Sequence, residues 1–131
     1  MTLSPSDRAL GDVLVARDII TLAQLDEAVR LAEIWNVRLT DAVLSRAWMP
    51  PERLYQGLAY YYDLPLVDLV HEEPDRSLLQ AQDSDFYART LMIPWRRGEG
   101  GLIVAAAEPG PETVLAARRR WGPQVEFVVA S

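Results

Sequence analysis

The chain has 131 residues, half of them apolar and 24% charged, which suits one soluble globular domain or two small subdomains. It contains no cysteine, which excludes disulfides and thiolate zinc sites; no apolar run is long enough to span a membrane, and no signal peptide opens the sequence. The net charge of −6 argues against a broad basic face for nucleic acid, and all 13 basic residues are arginine, so a phosphate-binding loop or a Schiff-base enzyme, which both need lysine, is excluded.

In chain order, Ser6 is expected to cap a first helix running to about Arg17, with Leu10, Val13 and Leu14 on its buried face. Asp18-Ile19-Ile20 makes a turn. Thr21 and Gln24 form a capping-box pattern that opens a second helix, with Leu25, Ala28, Val29 and Ala32 on one stripe and Asn36 as its stop. A third helix starts at Arg38 and carries Leu39, Ala42, Val43 and Ala47. Pro50-Pro51 ends it and starts a fourth, which buries Leu54, Leu58 and Tyr61 and closes at Asp63. Leu64 to Leu69 is an extended exit segment. From Val70 the texture changes. Pro74–Gln80 and Ser84–Arg89 predict two short helices, Leu91–Arg97 and Leu102–Ala107 two strands joined by a Gly98–Gly101 turn, Glu112–Trp121 a helix, and Val125–Ala130 a last strand. That strand is expected to pair parallel to an earlier one through a crossover. The predicted fold is α+β: a helical repeat over residues 1–69, then a small three-stranded sheet with covering helices (ββαβ) over residues 70–131. The chain stops at Ser131 directly after its last strand, which leads us to expect a larger parent protein.

The first half is one unit used twice. Leu10-Gly11, Leu14, Ile20, Leu25 and Val29 return as Leu39-Thr40, Val43, Met49, Leu54 and Leu58, a shift of 29 positions (39 − 10 = 29). This repeat, the segment Tyr62-Asp63-Leu64-Pro65-Leu66-Val67-Asp68-Leu69, and Ile93-Pro94-Trp95-Arg96-Arg97 followed by Gly101 to Pro109 together resemble the N-terminal domain of type II secretion and type IV pilus ATPases. The same domain is found at one end of some bacterial membrane glycosyltransferases, and the Pro-Trp-Arg-Arg strand and the Gly122–Ser131 ending lean toward that branch.

The resemblance implies a bacterial cytoplasmic module held at the inner membrane through its parent. Its implied partners are the parent's own catalytic domain or a membrane-complex protein. It also implies a second partner, cyclic di-GMP, which the best-known members bind through a repeated motif that opens with Arg-Leu-Gly and ends in Gln. Arginine suits guanine and phosphate, glycine lets backbone approach, and glutamine both donates and accepts. Here the motif covers residues 9–32 and 38–61. In the first copy Ala9 stands at the arginine position, Leu10 and Gly11 match, and Ala32 replaces the glutamine. In the second, Arg38 and Leu39 match, while Thr40 and Tyr61 stand at the glycine and glutamine positions. Arg8 lies one position off, about 100° away on a helix. The candidate ligand residues are thus Arg38, Gly11, Leu10, Leu39 and Arg8, with the apolar frame kept and most polar anchors lost.

Other features carry less. His71 stands alone, so a metal site would need carboxylates, and a solvated histidine is expected. Tyr60-Tyr61-Tyr62 is expected to divide between core and surface. Trp35 and Trp48 sit at the junctions of the helical units, where packing is the default and exposure would mark a docking face. Arg118-Arg119-Arg120 suits a helix C-terminus. No nucleophile–base motif is present, no cofactor is implied, and the chain reads as non-catalytic: a regulatory or docking domain, with a degenerate cyclic di-GMP receptor as the alternative.

Overall fold

The computed structural model describes residues 4–131, which form two compact units, the first running to Tyr61 and the second spanning Tyr62–Ser131. The division falls earlier than the break expected after Leu69. The reason is that the exit segment pairs with the last strand and so belongs to the sheet.

The first unit holds four helices: α1 (Pro5–Ala16), α2 (Leu22–Trp35), α3 (Leu39–Arg46) and α4 (Pro51–Tyr62). Ser4, not Ser6, caps α1. Its hydroxyl accepts from the Asp7 N–H at 3.1 Å, and Pro5, which has no N–H to leave unsatisfied, takes the first helical position. Thr21 and Gln24 close the expected capping box, Thr21 N–H to Gln24 Oε1 at 2.9 Å and Gln24 N–H to Thr21 Oγ1 at 3.1 Å. Asn36 ends α2 with φ 54° and Asp63 follows α4 with φ 55°, as expected of helix stops.

The 29-residue repeat is conformational as well as sequential. α2 and α4 start 29 residues apart at Leu22 and Pro51, and left-handed residues close the preceding helices at Asp18 (φ 59°) and Ala47 (φ 53°), again 29 apart. Ala47 is therefore an exposed cap residue, not the buried helical residue expected. Leu10, Leu14, Leu25, Ala28, Leu39, Ala42, Val43, Leu54 and Leu58 are all buried, joined by Ile19 and Ile20 of the turn; Val13 and Val29 are half-buried. Tyr61 is also half-buried, and its hydroxyl donates to the Ser6 carbonyl at 3.3 Å.

The second unit contains β1 (Leu66–Val67), α5 (Ser84–Thr90), β2 (Met92–Gly98), β3 (Gly101–Ala106), α6 (Pro111–Trp121) and β4 (Glu126–Ala130). The sheet has four strands in the order β1-β4-β3-β2, one more than expected, because two residues of the exit segment form β1 parallel to β4. β4 also runs parallel to β3, as the β3–α6–β4 crossover predicts, and β2–β3 is an antiparallel hairpin. The expected Pro74–Gln80 helix is only a 3-10 turn, Arg76–Leu78, capped by Asp75 Oδ1, which accepts from Ser77 N–H at 3.0 Å; a second such turn, Ala81–Asp83, leads into α5. Leu91, with φ 53°, closes α5 and does not begin the strand.

A bulge at Trp95 shifts the hairpin register between Pro94 and Arg96, so both Pro94 and Trp95 are buried. On one face Trp95 packs with Val67, Ala105, Val128 and Ala130. On the other, Met92, Val104 and Ala106 meet Ala117 of α6, with Phe86 of α5 and Trp121 at the edge. The Trp95 indole N–H donates to the Glu72 carbonyl at 2.8 Å, tying the 68–75 loop to the hairpin.

Candidate ligand groove and docking surface

The five candidate residues divide by burial. Leu10 and Leu39 are core residues. Gly11 is buried against Leu25 and Leu39: a Cβ there would lie 2.8 Å from Leu25 Cδ1 and 3.5 Å from Leu39 Cδ2. The Leu-Gly element of the motif thus serves close helix packing in this unit. Arg8 and Arg38 are exposed.

Arg8 lines a groove of about 540 Å³ between α1 and α2. Leu22, Leu25 and Val29 supply its apolar part, and Arg8, Asp12, Asp26, Arg30 and Glu33 its charges. Three carboxylates face two guanidiniums, a balance that opposes a dianionic dinucleotide. Arg38 does not line this groove. It precedes α3, where its Nε lies 3.2 Å from Asp41 Oδ2 and its Nη2 3.3 Å from Oδ1, while its backbone N–H donates to the same carboxylate at 3.3 Å. The fork that would meet guanine or phosphate is engaged by its own helix. At the motif's closing positions, Ala32 is buried and offers no polar group, and Tyr61 uses its hydroxyl on Ser6.

At the C-terminal end of α2, Ile34, Trp35 and Val37 are 74%, 53% and 40% exposed, around the left-handed Asn36. The sequence marked Trp35 only as a junction residue. Its exposure follows from the face α2 turns to the core, since Leu25, Ala28 and Ala32 set the stripe and Trp35 falls off it. Trp48, by contrast, is half-buried, with the Arg46 guanidinium 6.0 Å from its ring centre. Tyr60 is exposed but carries the Arg17 guanidinium 3.9 Å above its ring, a satisfied cation–π pair.

His71 is exposed as expected, with Nδ1 2.7 Å from Asp68 Oδ2. That hydrogen bond, with the Val70 backbone N–H, holds the Asp68 carboxyl below the usual aspartate range. Among the described residues no group of three or more His, Asp or Glu side chains is placed to hold a metal, and no helix is long and apolar enough to cross a membrane.

The sheet unit with its exit strand decides the family. The model of the MshEN domain matches residues 62–131, just over half of the chain. The chain belongs to the MshEN domain family. Over 123 residues, 93% of its length, it is 26% identical to bacteriophage adsorption protein B of Escherichia coli K12, and equally to bacteriophage N4 adsorption protein B of Escherichia coli O157:H7. It spans 16% of the length of these curated relatives. Among solved structures, MshE with cdg is 26% identical with a TM-score of 0.76, covering 92% of this chain and 88% of that one. The N-terminal domain of XpsE, at 22% identity and a TM-score of 0.73, covers 99% of this chain and 90% of that one and shares the fold. The MshEN assignment agrees with the secretion-ATPase resemblance, and the adsorption-protein relatives agree with the second branch.

Proposed function

We propose that this MshEN domain is a non-catalytic docking and regulatory module of a larger bacterial protein, a membrane glycosyltransferase or a secretion or pilus ATPase. It engages the parent's catalytic domain or a membrane-complex protein. The observation that carries this reading is the exposed Ile34-Trp35-Val37 patch. Contiguous exposed aliphatic side chains around a tryptophan are what interface centres are made of. The test adds the isolated chain to the remainder of the parent and measures binding by calorimetry. Saturable binding is expected, weakened at least about tenfold by Trp35→Ala, as for an interface anchor. Absence of binding, or equal binding by the variant, removes the reading.

A second reading, a cyclic di-GMP receptor using Arg38, Gly11, Leu10, Leu39 and Arg8, is favoured by the 26% identity to MshE, whose structure carries cdg. Opposing it are the burial of Leu10, Gly11 and Leu39, the Asp41 carboxylate on Arg38, and the acidic balance around Arg8. Losing a hydrogen-bond partner in a binding site costs on the order of 1–3 kcal/mol. With three of four anchors replaced, no heat is expected when the dinucleotide is titrated into roughly tens of micromolar protein. A saturable isotherm would reverse the ranking of the two readings.

A further inference from the structure

The sheet unit contains a second cavity, of about 300 Å³, that the family motif does not touch. Arg97 from β2 and Arg120 from α6 meet there, with Tyr87, Gln80, Asp83 and Trp121 in the same wall. Arg120 is held in place: its Nη2 pairs with Asp83, and its guanidinium lies 5.1 Å from the centre of the Phe86 ring. Asp83 neutralises that charge. Arg97 helps, through space, to hold the carboxyl of nearby Asp75 below the usual aspartate range, yet its guanidinium closes no hydrogen bond or salt bridge among the described residues. The lining therefore carries one guanidinium with no direct ion-pair partner, in a unit where seven arginines face eleven carboxylates. The Tyr87 hydroxyl accepts from the Gln80 backbone N–H at 3.2 Å and keeps its own hydrogen to donate.

The geometry points to an oxyanion site here, taking the phosphate or carboxylate of a small ligand. Arg97 supplies the planar fork and Tyr87 a neutral donor; Arg120, paired with Asp83, and the Trp121 ring form the wall beside them. A pocket of this size accommodates a mononucleotide-sized molecule and not a dinucleotide. The site is independent of any ligand at α1 and α2.

The test is NMR titration of the 131-residue chain, following the Arg97 and Arg120 Nε–H and Trp121 indole resonances at constant ionic strength. Inorganic phosphate, acetate and adenosine monophosphate are added separately, with chloride as control. Saturable shifts of these three resonances are expected with at least one oxyanion, and Arg97→Ala, a substitution at an exposed position, is expected to weaken the binding read from the Arg120 and Trp121 resonances at least about tenfold. Tighter binding of the nucleotide than of phosphate assigns the Trp121 wall to a base, and preference for acetate assigns the site to carboxylates. Shifts that stay linear and match chloride, or that persist unchanged in Arg97→Ala, overturn the proposal.

Discussion

Gly57 is the residue on which the helical unit closes most tightly. A Cβ there would fall 2.5 Å from Ile19 Cδ1 and 2.8 Å from Leu14 Cδ2, both ends of buried side chains. Gly57→Ala gains about 1 kcal/mol of helix propensity but inserts a methyl into packed core, at about 1–3 kcal/mol. A net loss of about 1 kcal/mol is expected by urea unfolding. Gly11→Ala presses on one side chain only, Leu25, with Cδ1 at 2.8 Å and Cδ2 at 3.3 Å, and is expected to be nearer neutral. Equal losses at the two positions would show that contact with two buried side chains is not what sets the cost.

At the scale of elements, the helix ends tell most about what the sequence reveals. The Thr21–Gln24 box, the Asn36 stop and the Asp63 stop were legible because each depends on residues a few positions apart. Ala47 and Leu91 were not. Neither side chain favours the left-handed region, so their conformation is imposed by how the following segment packs. Ala47→Gly removes that strain at an exposed position and is expected to stabilise by about 0.5–1 kcal/mol, read as a higher urea midpoint. An unchanged or lower midpoint would mean the left-handed turn costs nothing there. β1 was illegible for another reason: Leu66 becomes strand only by pairing with Val129, far along the chain. The 3-10 turn at Arg76–Leu78 is held by Asp75, whose carboxyl lies below the usual range because the Ser77 hydroxyl and backbone N–H donate to it and Arg97 is near. Because the folded value is lowered, this support is complete above the ordinary aspartate value of about 3.9 and is lost as pH falls through the lower folded value. Ser77 amide protection, its exchange relative to the unstructured rate at the same pH, is expected to hold from neutrality to about pH 4 and to fall only below it. Loss of protection already near about pH 5 would contradict that sign.

For the whole molecule, the α+β class, the duplicated helical half and the parallel final strand were readable from periodicity and turn chemistry. The site was readable only in part. The Arg38-to-Asp41 spacing is visible in the sequence, but that the carboxylate would engage the guanidinium follows from the helix start, where Asp41 turns back on the cap. The exposure of Trp35 and the meeting of Arg97 with Arg120 depend on tertiary placement that no local pattern encodes. If lost anchors explain weak nucleotide binding, restoring one should help. Ala9 is exposed on α1, and Ala9→Arg would place a guanidinium at the motif's opening position without disturbing the core. Affinity for cyclic di-GMP is expected to rise by about tenfold, the value of one charge-assisted contact of roughly 1.4 kcal/mol, measured as the shift in midpoint between NMR titrations of the variant and the unsubstituted chain carried to millimolar dinucleotide. No gain would place the barrier in the acidic groove and not in the missing arginine.

The tryptophans give each unit its own optical signal. Trp95 is enclosed in the sheet with its indole N–H bound to a carbonyl, while Trp35 stands half in solvent on the helical unit. The first emits toward the blue and is shielded from iodide; the second emits toward the red and is quenched. Trp48 and Trp121, both half-buried, emit between these two, so a partner that covers α2's end announces itself at the red edge, by a blue shift and a loss of iodide quenching, without any attached dye.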